Sequence, residues 1–371
     1  MRNVVYYAQE LLYNLTPYIP MYSRKYHNAY APGLQCWTEL LGYGSNNDWT
    51  YNYINWKKSA GVPDPTKPSW RFHISGPLAK LNPMTSSSAY DWQVMNRLFD
   101  GLLDMTPYTF PIRRPNTNPQ TLTDILWAAK TWDPRGSYYP YVNPGEEVYD
   151  GMYVKFVLRP GIKWQDGQVF DANDVLWNWD FIDSIEPSRH YDIYKNYVRS
   201  EVSTTNYADD TITLYINATS LWLIYSFTDS ALLVPPHIYG PYGPVDTNLD
   251  GVVTYTEVNA FKPYQTPHPT VPGLTCLIGT GAWIFKEWNI LVQTVRLDAN
   301  TAYWAGTFRR EDITMDGRVN LFDAVMVALS GGAGPTSPSW YSGAADLNCD
   351  YIVNLFDAVL LAGKAGTVTL P

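Results

Sequence analysis

Residues 154–181 read VKFVLRPGIKWQDGQVFDANDVLWNWDF, and no other stretch constrains the fold as tightly. Val154, Phe156 and Leu158 alternate with polar neighbours, the period of a half-buried strand. Pro160-Gly161 is a turn signal, because proline presets φ and glycine accepts positive φ. A short strand then meets Asp166-Gly167, a tight-hairpin dipeptide. Asp171 stands where a helix N-cap belongs, with Asp174 three residues on, an approximate capping box. Val175, Leu176, Trp179 and Ile182 follow at helical spacing, so the stretch predicts strand, turn, hairpin and helix in succession. A mixed α/β layer is expected.

The same residues resemble a family. LRPGIKWQDG followed by DANDV is similar to the signature of family 5 extracytoplasmic solute-binding proteins, the oligopeptide, dipeptide and nickel receptors of ABC importers. Four further stretches resemble that family's landmarks, in its order: Leu78–Leu103, Leu232–Gly240 (LLVPPHIYG), Gly279–Asn289 (GTGAWIFKEWN) and Asn300–Trp304 (NTAYW). The resemblance implies one lobe of a type II periplasmic-binding-protein-like fold over residues 70–308. It also implies solute contacts in the loop Ser86–Trp92, through Ser88, Tyr90 and Trp92, and in the turn carrying Gly279 and Gly281. Tyr90 and Trp92 are candidates for stacking on a peptide or sugar, but Trp92 reads equally well as the start of a core helix face. Trp164 and Trp177 read as core, and His237 as structural.

The order of parts departs from the family. Residues 1–57 resemble its C-terminal end, with Trp37–Trp56 similar to the segment that closes the receptor. Residues 58–69 are rich in Pro, Lys and Ser and read as a linker. The second lobe expected after Trp304 is replaced by something unrelated. A fragment of a longer polypeptide and a permuted remnant both account for this order; the fragment is the favoured expectation, because loss of a lobe removes half of a ligand cleft.

Residues 309–371 contain a duplication. Asp312 begins DITMDGRVNLFDAVMVAL and Asp346 begins DLNCDYIVNLFDAVLLAG, 34 residues apart. Each spells the spacing of an EF-hand loop, in which side-chain oxygens at positions one, three, five and twelve and a backbone carbonyl at seven surround a hard cation. The candidate ligands are Asp312, Thr314, Asp316, Arg318 (carbonyl), Asn320 and Asp323, then Asp346, Asn348, Asp350, Ile352 (carbonyl), Asn354 and Asp357. The pair resembles the small α-helical dockerin domain, which implies Ca2+ as cofactor and a cohesin-like protein as a partner. Each loop runs into a helix whose apolar face is expected at Leu321, Phe322, Val325, Met326 and Leu329, and at Leu355, Phe356, Val359 and Leu360. Tyr351 stands where glycine is usual, at a left-handed position costing about 1–2 kcal/mol, so the second loop is expected to bind more weakly than the first. A third loop lies within the lobe: Asp246, Asn248, Asp250, Val252 (carbonyl), Thr254 and Glu257, with the glycine and the final glutamate in place.

Composition excludes several classes. Net charge is −9, against nucleic acid or an anionic membrane as partner. No apolar run is long enough to span a bilayer. No nucleophile motif, zinc-protease motif, P-loop or dinucleotide fingerprint occurs, so no catalytic residue is assigned and the chain is not expected to be an enzyme. Cys36, Cys276 and Cys349 allow one disulfide but form no framework; Cys349, in a polar loop, is expected as a free thiol. The expectation is therefore an extracytoplasmic receptor component for oligopeptides, oligosaccharides being next, working with an ABC permease. The second reading is a cell-surface scaffold or adhesion protein docking a cohesin-like partner. Either requires export, although no signal peptide is recognisable.

Overall fold

The computed structural model describes residues 33–36, 50–51, 54–59, 62–64, 66–67, 69, 71–105, 124–133, 140–141, 149–150, 152–186, 204–206, 210–216, 233–244, 246–247, 249, 253–304, 311, 313, 318–332, 345–350 and 352–366. The chain divides into two units, Met1–Pro32 and Gly33–Pro371, and every described residue lies in the second.

The strands are β1 (Leu34–Gln35), β2 (Asn55–Ser59), β3 (Val62–Pro63), β4 (Leu103–Met105), β5 (Asp124–Leu126), β6 (Ala129–Asp133), β7 (Pro140–Tyr141), β8 (Tyr149–Asp150), β9 (Met152–Leu158), β10 (Ile185–Glu186), β11 (Thr204–Asn206), β12 (Thr211–Ile216), β13 (Val253–Thr254), β14 (Trp283–Asn289) and β15 (Thr294–Ala299). The helices are α1 (Ala89–Met95), α2 (Ala172–Ser184), α3 (Pro236–Tyr239), α4 (Tyr255–Ala260), α5 (Leu321–Leu329) and α6 (Leu355–Ala362).

The central sheet is four-stranded and antiparallel, in the order β11-β12-β9-β6. Val154, Phe156 and Leu158 of β9 and Ile212, Leu214 and Ile216 of β12 are all buried. Strand alternation therefore places one face of the sheet against a core. Val175, Trp179 and Ile182 of α2 are buried in the same core. Each such large apolar side chain contributes roughly 1.5–3 kcal/mol by leaving water.

The Val154–Phe181 reading is reproduced closely. Gly161 and Gly167 hold positive φ, 81° and 93°, as the two turns require. Lys163 bridges Val169 across the small hairpin, and Trp164 packs edge-on against Phe170 inside it. Asp171 accepts hydrogen bonds from Asn173 N at 2.8 Å and Asp174 N at 3.4 Å, while Asp171 N donates to Asp174 Oδ2 at 3.2 Å. This reciprocal cap is worth about 1 kcal/mol.

Residues 58–69, expected as a linker, carry structure. Lys57 pairs with Pro63 and Ser59 with Val62. Trp56 Nε1 donates to Ser69 O at 2.8 Å, and Lys67 Nζ lies over the Trp56 ring. The Arg97 guanidinium sits 3.2 Å from the Tyr51 ring centroid and 5.1 Å from that of Phe72. The described part of the tail-like segment thus packs on the lobe at the end of α1, as chain order alone did not forbid.

The duplicated C-terminal region has a small core of its own: Ile313, Val319, Val327, Ala345, Leu347, Val353 and Leu361. Gly332 N donates to Val353 O and Gly366 N to Val319 O, both at 2.7 Å. The 34-residue offset in sequence thus reappears as reciprocal bonds between the copies. The helix faces depart from expectation. Leu321, Phe322, Val325 and Leu329, and Leu355, Phe356, Val359 and Leu360, are 43–75% exposed. Of the expected faces only Met326 packs against the core, beside the buried Val327 and Leu361. Both helices are apolar nearly all round, so sequence periodicity does not choose between their faces.

Candidate functional site

The loop before α1 is pinned by a buried carboxylate. Asp91 accepts from Ala79 N at 2.9 Å, Lys80 N at 3.0 Å and Ser86 Oγ at 2.6 Å. Ser88 caps α1 by accepting from Tyr90 N, and Trp92 Nε1 donates to Ser86 O at 3.0 Å. The Tyr90 ring lies on Gly76, where a Cβ would meet it at 2.1 Å. Opposite, the turn containing Gly279 and Gly281 presses on the end of α1. A Cβ on Gly279 would stand 2.0 Å from Leu98 O, and one on Gly281 2.6 Å from Arg97 O. Gln165 stitches the turn to the signature hairpin. Its Nε2 lies 2.7 Å from Trp283 O and 3.2 Å from both Leu98 O and Gly281 O, and its Oε1 accepts from Gly279 N. The five residues assigned to solute contact are therefore gathered around α1, and each also has a packing or hydrogen-bonding task there.

Sequence spacing did not reveal a second cluster. Asp166, of the hairpin dipeptide, meets His237 Nε2 at 2.6 Å and His268 Nε2 at 3.1 Å. Among the described residues this is the only trio of Asp, Glu, His or Cys side chains whose ligand atoms converge within 4.8 Å. The second ring nitrogen of His268 decides its chemistry. His268 Nδ1 accepts from Val271 N at 3.0 Å and Thr270 N at 3.2 Å, so the proton resides on Nε2, which donates to Asp166. A metal-bound histidine has the opposite arrangement, with its outer nitrogen donating. The trio is thus a hydrogen-bond hub joining the hairpin to α3 and to the 266–276 segment. Burial pushes the Asp166 carboxyl up, but bonds from His237, Gln168 N and His268 outweigh it and hold the group below the ordinary range. The neighbouring Asp174 behaves oppositely. Burial raises it to about 6 despite the hydrogen bond from Trp164 Nε1.

The cation-type loops are described in part. Asn248, Asp250, Val252, Asp312, Thr314 and Asp316 lie outside the described residues. In the third loop Glu257 accepts from the backbone N and hydroxyl of both Thr247 and Thr254; those bonds, from Thr247 foremost, lower its carboxyl to about 2. Thr254 and Glu257 form the capping box of α4, and Asp246 is half-buried at the loop's start. In the first loop Asn320 and Asp323 cap α5 and Arg318 is exposed. The second loop is nearly complete. Asp346 and Asp357 are buried. Asp350 N donates to Asp346 Oδ1 at 3.1 Å and Asn348 Oδ1 at 2.9 Å, and Asn348 N donates to Asp357 Oδ1 at 3.1 Å. Asn354 caps α6 and Ile352 is exposed. The donor chemistry, with Asp346, Asn348, Asp350, Asn354 and Asp357 within twelve residues, suits a hard cation, while the oxygens themselves accept from N–H groups of the loop and the helix it starts.

The model of the bacterial extracellular solute-binding proteins, family 5 middle region, matches residues 125–329, more than half of the 371 residues. The chain belongs to this family. The match takes in the signature hairpin, α2 and the β14–β15 hairpin, and runs past residue 308 to the end of α5. No curated protein matches. Among solved structures, this solute-binding protein is similar to the Escherichia coli murein tripeptide binding protein MppA, with 18% identity over 63% of this chain and 38% of that one and a TM-score of 0.40. AppA, an oligopeptide-binding protein from Bacillus subtilis solved with a nonapeptide, gives 18% identity, 63% and 36% coverage and 0.41. NikZ from Campylobacter jejuni, solved with Ni(L-His), gives 17%, 62%, 35% and 0.39. The chain spans under two-fifths of the length of these three relatives. Proteins of the family are non-enzymatic and extracytoplasmic. No helix of the described residues is long and apolar enough to cross a membrane.

One expectation for this solute-binding protein is corrected. Cys349 is not a free thiol: it is bonded to Cys36 across 313 residues, and both are buried. The free cysteine is Cys276, buried, its thiol pushed up to about 11 by that burial. A polar loop sequence suggested exposure, but the bridge partner comes from the far end of the chain, where local sequence carries no signal.

Proposed function

We propose that this chain serves as the solute-receiving component of an ABC importer, with oligopeptides as the solute class. Family membership over residues 125–329 carries the reading. The sequence landmarks narrow it to the peptide, dipeptide and nickel branch, whose peptide receptors capture ligand as an added extended strand with loose side-chain pockets. Solute would enter beside the α1 loop, with Tyr90 and Trp92 at its margin, and a permease would receive it. The Cys36–Cys349 bridge supports the location, since structural disulfides persist in oxidising, extracytoplasmic compartments. The three EF-hand-type loops would hold Ca2+ and stabilise the modules that carry them. Asp346, Asn348, Asp350, Asn354, Asp357 and the Ile352 carbonyl would be the ligands in the second.

The test is calorimetry of the full chain against a mixed peptide library and an oligosaccharide panel, each with calcium and with EDTA. Saturable peptide binding independent of calcium is expected. The melting temperature should fall on chelation. An absence of peptide binding, or a melt indifferent to EDTA, removes the corresponding half of the proposal.

A second reading has one observation in its favour. The outward faces of α5 and α6, led by Phe322 and Phe356 at 69% and 71% exposure, form the kind of apolar surface that marks a protein contact. Under this reading the chain is a surface scaffold whose duplicated module docks a cohesin-like partner. Calcium-dependent capture by a purified cohesin domain, without peptide binding, would select it.

A further inference from the structure

Cys349 is the fourth residue of the second cation-type loop, between Asn348 and Asp350. The bridge to Cys36 therefore enters the loop among its candidate oxygen ligands. Both half-cystines hold left-handed backbone, φ 56° at Cys349 and 68° at Cys36, a conformation unfavourable for residues with a Cβ. At Cys349 it has a consequence. The turn directs Cys349 N to Asp346 O and Asp350 N to both Asp346 Oδ1 and Asn348 Oδ1, and so gathers the first three ligand positions. The first copy carries Met315 at the equivalent place and has no bridge to hold it. The second copy in turn has Tyr351 where a glycine would ease the turn. Leu249, at the same place in the third loop, holds φ 58° with no cysteine there, so the turn belongs to the loop and the bridge adds a covalent hold to it.

The other end of the bridge adjoins β1, which pairs with β2. The duplicated region has its own hydrophobic core, separate from the main one. One covalent bond thus ties a small self-contained module to the segment beginning at Gly33.

We propose that the Cys36–Cys349 bridge is a redox latch. Oxidised, it adds a covalent hold to the second loop's ligand-gathering turn and pins the C-terminal module to the β1–β2 pair. Reduced, the turn loses that covalent hold and the packing of the module loosens while the main core stays folded. A dithiol operates the latch: its thiolate attacks one bridge sulfur, the Sγ–Sγ bond breaks, and the second thiol closes the reagent's own disulfide. The two protons of the dithiol end on the two cysteine thiols. The role of calcium rests on the cation reading above. Ion and bridge favour the same turn, so each must strengthen the other by the same factor.

The experiment reduces the full chain natively with dithiothreitol, counts thiols by alkylation and intact mass, and follows amide exchange by mass spectrometry. Cys276 calibrates the count, which should rise from one thiol to three. Exchange should accelerate about tenfold or more in peptides from 33–59 and 345–362, with 152–182 unchanged. The Cys36→Ser/Cys349→Ser variant should show the same pattern without reductant. Faster exchange in 152–182 as well would make the bridge a general staple and overturn the latch, as would three thiols in the unreduced protein or no change anywhere. Saturating calcium should raise the reductant needed at the midpoint about 5- to 150-fold, and Asp350→Asn should abolish that shift. Equal midpoints alongside measurable calcium binding refute the coupling and leave the calcium reading intact. No calcium binding at all refutes the calcium reading, and exchange alone then decides the latch.

Discussion

Asp174→Asn should stabilise this protein at neutral pH and leave it little changed in acid. Asp174 sits in the first turn of α2 with its carboxyl raised from 3.8 to about 6, chiefly by burial. A raised acid binds its proton more tightly in the folded state. Between pH 4 and 6 the native chain therefore holds more protons than the unfolded one, and stability falls as pH rises. At about 1.36 kcal/mol for each pH unit that the carboxyl has risen, the penalty is roughly 3 kcal/mol, complete above pH 6. Asparagine carries no such penalty. It also keeps the contacts, because Trp164 Nε1 and Asp171 N both donate to the same oxygen, Oδ2, which an amide oxygen can replace. What is lost is the charge at the helix N-terminus, about 0.3–1 kcal/mol. The net expectation is a gain of about 2 kcal/mol at pH 8 and little difference at pH 4, where the folded carboxyl is already protonated and uncharged. Urea unfolding followed by circular dichroism across pH 3.5–8 measures it. The depressed Asp166 and Glu257 are common to variant and parent, so their slopes cancel in the difference. Parallel pH curves for the two proteins would show that Asp174 is not held protonated by burial.

Three further outcomes follow from the geometry. Gly279→Ala places a methyl 2.0 Å from Leu98 O and should cost about 1–3 kcal/mol in urea unfolding; an unchanged midpoint would return this glycine to the solute site alone. Glu257 is held at about 2 by Thr247 and Thr254, so it supports the folded state above pH 4.5 and loses that support as pH falls towards 2. Glu257→Gln should remove this acid limb from the exchange protection of α4, and an identical acid profile would count against the carboxylate's role. Gln165→Ala removes four hydrogen bonds; Leu98 O and Gly281 O keep donors in Gly281 N and Asn300 Nδ2, so the cost falls chiefly on Gly279 N, about 1–3 kcal/mol for a buried group left unsatisfied, the melting temperature should drop, and a wild-type melt would refute the stitch.

Local chemistry was legible in the sequence where a few adjacent residues determine it. The hairpin glycines, the Asp171 cap and the α2 core face are all set by neighbours within four positions. The symmetry of the C-terminal copies was equally readable, since duplication in sequence implies duplication in space. The helix faces of those copies were not. LFDAVMVAL and LFDAVLLA are apolar around most of their circumference, and only packing selects Val327 and Leu361 over Phe322 and Phe356. Long-range pairings were likewise silent. Asp166 meets histidines 71 and 102 residues away, and Cys36 meets Cys349 from the other end of the chain. Hydrophobic periodicity carries no information about such partners, because it reports only on neighbours within a few positions.

The landmarks that identify the family divide by what they touch. Gln165 and Asp166 come from the signature hairpin, His237 from the LLVPPHIYG stretch, Gly279 and Gly281 from GTGAWIFKEWN, and Tyr303 and Trp304 from NTAYW. Each ends on another landmark or on the backbone around α1. Gln165 binds the glycine turn and Asp166 binds His237. Buried Asp100 accepts from Trp127 Nε1, Tyr303 OH and Trp304 Nε1, each at 2.9 Å. A carboxylate desolvated this fully is tolerated only when such donors surround it, which ties the NTAYW turn to the end of α1 as firmly as the glycines do. In this chain the motifs hold hairpin, α1 and β14 in register, a structural task that does not depend on which solute is bound. Residues that distinguish a peptide from a sugar are free of that task, and so they need not appear among the landmarks by which the chain is recognised.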